Sequence, residues 1–228
     1  NSVKHYEFVV AKPRNEFTEQ ALARLCQVHL KAKNYDNAIP VLKRLETEAD
    51  FPQNITYAQS NLMKSYYEKQ DFTNAVVYAD KVLKNDKIDD RIKSDAQIIV
   101  ARSAIKTNDE AKAKEAYAKL QKIAKGELAA EALYYDAYFK NKEGKFEPSN
   151  VVVQKIAQDY SGYKYYGAKS LVIMAKNFYG LKDSFQATYI LESVIENFKE
   201  YTDVIEEAQK ELDFIKGEEA KRNSSITN

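Results

Sequence analysis

A residue no larger than serine returns at Ala38, Ala75, Ala113, Ser149 and Ala187, about every 36 to 38 residues. A period of that length confines the chain to an array of small supersecondary units. The surroundings repeat as well. A run of helix-forming residues precedes a short polar turn, and a second run follows it. The turns are Lys33-Asn34-Tyr35-Asp36, Gln70-Asp71-Phe72-Thr73, Thr107-Asn108-Asp109-Glu110, Glu143-Gly144-Lys145-Phe146 and Lys182-Asp183-Ser184-Phe185. Segments 20–49, 57–86, 95–124, 131–160 and 169–198 can therefore be superposed, each reading as helix, turn, helix. Six Gly and four Pro in 228 residues leave little turn chemistry for a many-stranded sheet, whereas Ala, Leu, Lys, Glu and Gln are plentiful. That balance favours helices.

A second small series, Cys26, Ala101, Ala137 and Ala175, falls in the middle of the first helices, with Met63 breaking it in the second segment. Helices that cross closely have no room there for long side chains. Pro40 and Pro148 are read as first-turn residues of second helices, where a missing N–H costs no intrahelical bond. Residues 1–13 read as the rear half of an upstream unit, so the chain is expected to be a fragment of a longer array. Residues 204–219 form one more amphipathic pattern through Ile205, Ala208, Leu212 and Ile215, suited to a polar capping helix. Residues 1–220 are thus expected to form a single array and 221–228 a disordered tail.

These features resemble the tetratricopeptide repeat family, whose period is roughly 34 residues. The small residues of both helices carry the resemblance, and Asn34-Tyr35-Asp36-Asn37-Ala38-Ile39 is its closest single phrase; Met63 and Ser149 depart from it. The resemblance implies an all-α, right-handed solenoid of about five stacked antiparallel helix pairs with a C-terminal cap. It also implies a scaffold that binds proteins rather than an enzyme. The links Asp50-Phe51-Pro52, Asp159-Tyr160-Ser161-Gly162-Tyr163 and Asn197-Phe198-Lys199-Glu200-Tyr201 resemble those of tetratricopeptide proteins in Gram-negative envelopes. Among these are outer-membrane assembly lipoproteins and Tol-Pal-associated periplasmic proteins. The implied setting is periplasmic or envelope-associated, with a cytoplasmic one left open.

No constellation for catalysis is present. His5 and His29 are the only histidines, without the partners a zinc site needs. The stretch from Gly162 to Ser170 places Ala168 between Gly167 and Lys169 and follows a helix, so it is not a phosphate loop. No cofactor or metal is expected. Cys26, the single cysteine, reads as a small core residue. The net charge of +1 gives no reason to expect nucleic acid as partner, and Lys112, Lys114, Lys119, Lys122 and Lys125 read as a solvated face. No apolar run approaches a membrane span. Asn54-Ile55-Thr56 and Asn223-Ser224-Ser225 match the glycosylation sequon, a match of the length that arises by chance.

The resemblance implies that first helices line a concave surface. The residues that map onto it are Gln27, Lys31, Tyr57, Lys64, Tyr67, Arg102, Lys106, Tyr134, Tyr138, Asn141, Lys176 and Tyr179. This set gathers cations and tyrosines with no acid, and would suit a protein or peptide carrying carboxylates. The tyrosines, Tyr138 above all, either line that groove or pack between helices. The paired asparagines of the family's carboxylate clamp are missing. Two other roles fit the same sequence: a spacer docking neighbours by its convex face and ends, or a regulatory segment of a larger protein.

Overall fold

A computed structural model describes residues 2–226, with no strand among them. The helices are α1 (Ser2–Val10), α2 (Thr18–Lys31), α3 (Tyr35–Glu48), α4 (Pro52–Glu68), α5 (Phe72–Leu83), α6 (Asp90–Lys106), α7 (Glu110–Leu120), α8 (Gly126–Lys142), α9 (Phe146–Asp159), α10 (Lys164–Gly180), α11 (Ser184–Asn197) and α12 (Thr202–Ile226). Where the sequence suggests one array over 1–220, the helices fall into two compact units, one ending at Lys119 and one beginning at Leu120. In the first unit, α1 packs on α2, α2 on α3, α3 on α4, and α5 on both α4 and α6, while α4 also touches α6. In the second, α9 packs on α8 and α10, and α11 on α10 and α12; α10 also touches α8 and α12. The first helices α2, α4 and α10 are therefore each held by the second helix before them and the one after them.

One turn design joins the helices of every pair. Lys33, Gln70, Asn108, Gly144 and Lys182 occupy the same place in the five turns, and all have φ between 53° and 72°. The next residue sends its N–H back five positions to close the first helix, as from Asn34 to the His29 carbonyl at 2.9 Å and from Asp183 to Phe178 at 2.9 Å. That same residue opens the second helix. The side chains of Asn34, Asp71, Asp109 and Asp183 accept the N–H three residues on, a cap that contributes about 1 kcal/mol. In the fourth turn Lys145 has no acceptor to offer and makes no cap bond. Glycine supplies the left-handed position there; Lys or Gln holds it against roughly 1 kcal/mol of strain.

Every member of the two small series is fully buried: Cys26, Ala38, Ala75, Ala101, Ala113, Ala137, Ser149, Ala175 and Ala187 each expose 0%. Met63, which breaks the pattern, is buried just as completely. In the second unit Ala168, Val172, Ala175, Ala187, Leu191, Val194, Val204, Ala208 and Ile215 form one continuous core. A leucine-sized side chain buried in such a core contributes about 1.5–3 kcal/mol. Ser149, the weak member of its series, is explained by Asn177, which exposes 0%. The Ser149 hydroxyl donates to the Ala137 carbonyl at 2.8 Å and accepts from Asn177 Nδ2 at 2.8 Å. Nδ2 also reaches Asn150 Oδ1, and Asn141 donates to Asn177 Oδ1, both at 2.8 Å. The side chain thus ties α8, α9 and α10 together.

Two expectations are corrected. Pro148 stands in the first turn of α9, but Pro40 is the sixth residue of α3 and lies inside it. It therefore leaves the Asp36 carbonyl without its amide partner, and it does so on an exposed face where water can substitute. Nor does the C-terminal helix stop near 219. It runs from Thr202 to Ile226, through much of the stretch expected to be disordered; residues 227–228 of that tail, and residue 1 of the N-terminal remnant, lie outside the described residues.

Gly180 closes α10 beneath the Phe146 ring, and a Cβ there would stand 2.4 Å from Phe146 Cζ. Gly180→Ala is expected to destabilise by about 1 kcal/mol, because the ring must move. Adding Phe146→Leu should return part of that loss. Urea denaturation of both variants decides it; equal stability of Gly180→Ala and parent would mean that the ring yields freely.

Candidate binding cleft

A cleft of about 790 Å³ lies between α4 and α6 in the first unit. Gln53, Tyr57, Ser60, Asn61 and Lys64 follow one another at helical spacing along the same face of α4. Arg91, Ile92 and Asp95 line it from α6, and Asn85, Lys87 and Ile88 from the link between α5 and α6. Local hydrogen bonds shape that link. Asn85 Nδ2 donates to Thr56 Oγ1 at 3.1 Å, Lys87 N donates to Asn85 Oδ1 at 3.0 Å, and Asp89 caps α6 by accepting from Ile92 N at 2.8 Å. The floor is apolar, with Met63 and Ile88 buried.

Burial pushes the Tyr57 phenol up, helped by the nearby Cys26, so its hydroxyl remains a donor at neutral pH. The Ser60 hydroxyl is buried and has no hydrogen-bond partner among the described residues. Lys64 is paired with Asp95 across the cleft, a half-exposed bridge worth on the order of 0–1 kcal/mol. Asp89 is occupied by its cap. The charges left over are Lys87 and Arg91, exposed at the rim with no ion pair among the described residues. An apolar floor, convergent polar groups and a positive rim suit a short segment with a buried side chain and a carboxylate.

A second, shallower cleft of about 430 Å³ opens between α2 and α4. Glu19 sits in it and accepts from Asp50 N at 3.0 Å, Phe51 N at 3.3 Å and Asn54 Nδ2 at 2.6 Å. Desolvation raises its carboxyl pKa, but the three donors outweigh that and hold it below the ordinary range. Asn54, the sequon residue, is engaged in this contact.

The expected groove residues divide. Tyr57 and Lys64 line the larger cleft and Gln27 the smaller. Lys31 and Lys106 are exposed at helix ends, and Arg102 is half-buried on α6. Tyr67 lies edge-on to Phe72, and Tyr179 edge-on to Phe214. The remainder are drawn into structure. Tyr134 is 5% exposed, a core residue rather than a groove residue. Tyr138 packs edge-on to Tyr135 and Phe139, and Asn141 serves Asn177. Lys176 Nζ is held 2.7 Å from Glu207 and 3.3 Å from Glu211. The acid-free face that the sequence suggests is therefore not found. Lys64 and Lys176 each meet a carboxylate on the next first helix, 31 residues further on. Ser60, Ile88, Arg91, Ile92 and Asp95 went unnoticed in the sequence; an acid 31 residues after a groove lysine was the available signal for Asp95.

Comparison with models of known protein families gives no match, and comparison with curated proteins gives none either. Among solved structures, the fold matches the crystal structure of a tetratricopeptide repeat protein from Parabacteroides merdae ATCC 43184. The TM-score is 0.70 over 92% of this chain and 77% of that chain, at 15% identity. The chain has the tetratricopeptide-repeat fold. Stacked helix pairs of this fold offer extended surfaces on which another chain can lie. At this identity the likeness establishes the helix-pair architecture, and the cleft between α4 and α6 is defined by this chain's own side chains.

Proposed function

We propose that the chain is a protein–protein interaction module that seats a segment of its partner in the cleft between α4 and α6. The observation that carries the reading is the cleft itself, an open site of about 790 Å³ with an apolar floor. The unpaired cations Lys87 and Arg91 at its rim favour a segment that bears a carboxylate. A setting in a Gram-negative envelope is part of the proposal and rests on the aromatic links alone; fractionation of cells that carry the protein tests it.

Photo-crosslinking from Gln53 in the intact chain identifies the occupant. Reversing both rim cations, Lys87→Glu with Arg91→Glu, is expected to weaken that partner's binding by about ten-fold or more, with the loss growing at low salt. Reversing Lys112 and Lys119 on α7 should leave affinity nearly unchanged. Equal losses from the two pairs would mark a diffuse charge effect. One observation favours the spacer reading instead: Phe185 and Tyr189 on α11 are 80% and 62% exposed. If Tyr189→Ser abolishes partner capture while the rim reversals do nothing, docking runs through α11.

A further inference from the structure

In the second unit three groups from α10, α12 and the link before α12 meet at one corner. The Tyr165 hydroxyl donates to Asp203 Oδ2 at 2.7 Å, and the Tyr165 ring stands edge-on to Tyr201 with centroids 5.4 Å apart. Both rings are half-buried, so part of each remains open. Asp203 is exposed in the first turn of α12, and its Oδ1 takes no hydrogen bond among the described residues. Electron-rich ring faces beside a carboxylate make a receptor for a cation. Burial first, and then the bond to Asp203, push the Tyr165 phenol up to about 12. At neutral pH its hydroxyl therefore stays a donor.

The lysines already on this side of the unit are held by the same two means. Lys169 Nζ stands 5.0 Å from the Tyr134 ring and 5.4 Å from the Tyr165 ring. Lys176 lies between Glu207 and Glu211. No lysine or arginine among the described residues reaches Asp203.

We propose that this corner binds a basic segment of a partner protein, with an arginine or lysine side chain seated on Asp203 against the Tyr165 and Tyr201 rings. Charge selects the occupant. An acidic segment would meet Asp203 and Glu206, both exposed on α12, with like charge. Arginine fits best, because its planar fork can bond Oδ1 while its face lies on a ring. The site is opposite in sign to the rim of the α4–α6 cleft and shares no residue with it, so either can bind without the other.

The test uses the intact chain and a capped hexapeptide carrying two arginines and one lysine, with a three-glutamate counterpart as control. Calorimetry at low and physiological salt gives the affinities. The basic peptide is expected to bind and the acidic one not. Asp203→Asn, which keeps an acceptor for Tyr165, should weaken binding about five- to ten-fold, and Tyr201→Ala by a similar factor. Lys169→Met removes the nearest competing cation and should tighten binding about two-fold. Asp159→Asn on α9 should change nothing. Circular dichroism confirms that each variant keeps its helices. Four results would each overturn the proposal: no binding at millimolar peptide, equal binding of the acidic peptide, full affinity in both Asp203→Asn and Tyr201→Ala, or a loss in Asp159→Asn as large as in Asp203→Asn.

Discussion

Ala175→Leu is expected to lower the free energy of unfolding by about 1–3 kcal/mol. Ala175 is fully buried in the core that α10, α11 and α12 share, among Val172, Ala187, Leu191, Val204 and Ala208. Three extra carbon atoms at that position cannot be taken up by rotating one neighbour, since alanine and valine have no slack to give. The helices must separate, or the leucine must leave its preferred rotamer. Ala101→Leu in α6 should behave alike, because Ala101 also exposes 0%. Chemical denaturation measures both, with m-values checked for a change in the surface exposed. Two variants as stable as the parent would show that the small series does not mark close helix crossings.

Asn177→Ala is expected to cost about 1–3 kcal/mol by a different route. The substitution removes little volume but strands the partners of three hydrogen bonds, on Ser149, Asn150 and Asn141. Ser149 can still donate to Ala137, so Ser149→Ala should cost less by itself. A double-mutant cycle separates the network from its parts, with a coupling on the order of 1 kcal/mol expected between the two positions. Strictly additive losses would mean that Asn177 and Ser149 contribute separately. Asn177→Leu should also fail to restore stability, because it adds apolar volume without satisfying the stranded groups.

The fold was legible because its determinants are local and periodic. Ala38, Ala75, Ala113 and Ala187 are conspicuous in a sequence rich in long side chains, and each turn carries its own polar residues. Pro40 was misplaced by a turn because a helix start is fixed by the capping residue, Asn34, rather than by the proline that follows it. Among the candidate site residues, Tyr57 and Lys64 were found by their place in the first helix. What surrounds them was not, because Lys64 and Lys176 find their carboxylates in the following repeat. A pattern that says where a side chain points does not say what the next helix brings against it. Asp95 and Glu207 look like ordinary solvated acids in one dimension. Tyr134 posed the same difficulty in reverse: its spacing is that of a groove residue, and only the packing of α8 against α9 and α10 shows it enclosed.

The shared residue at each turn also decides where this chain is free to change its length. Asn34, Asp71, Asp109 and Asp183 end one helix and begin the next, so inserting a residue beside any of them would separate two tasks that one position performs. All five turns within pairs accordingly leave three residues between helices. The links that join the five complete pairs to one another carry no such double duty, and they run from three residues at 49–51 to six at 84–89. The longest of these four is the one that borders the α4–α6 cleft and supplies Asn85, Lys87 and Ile88 to its wall. New recognition surfaces can therefore be grown at the links, while the spacing inside each pair stays rigidly set.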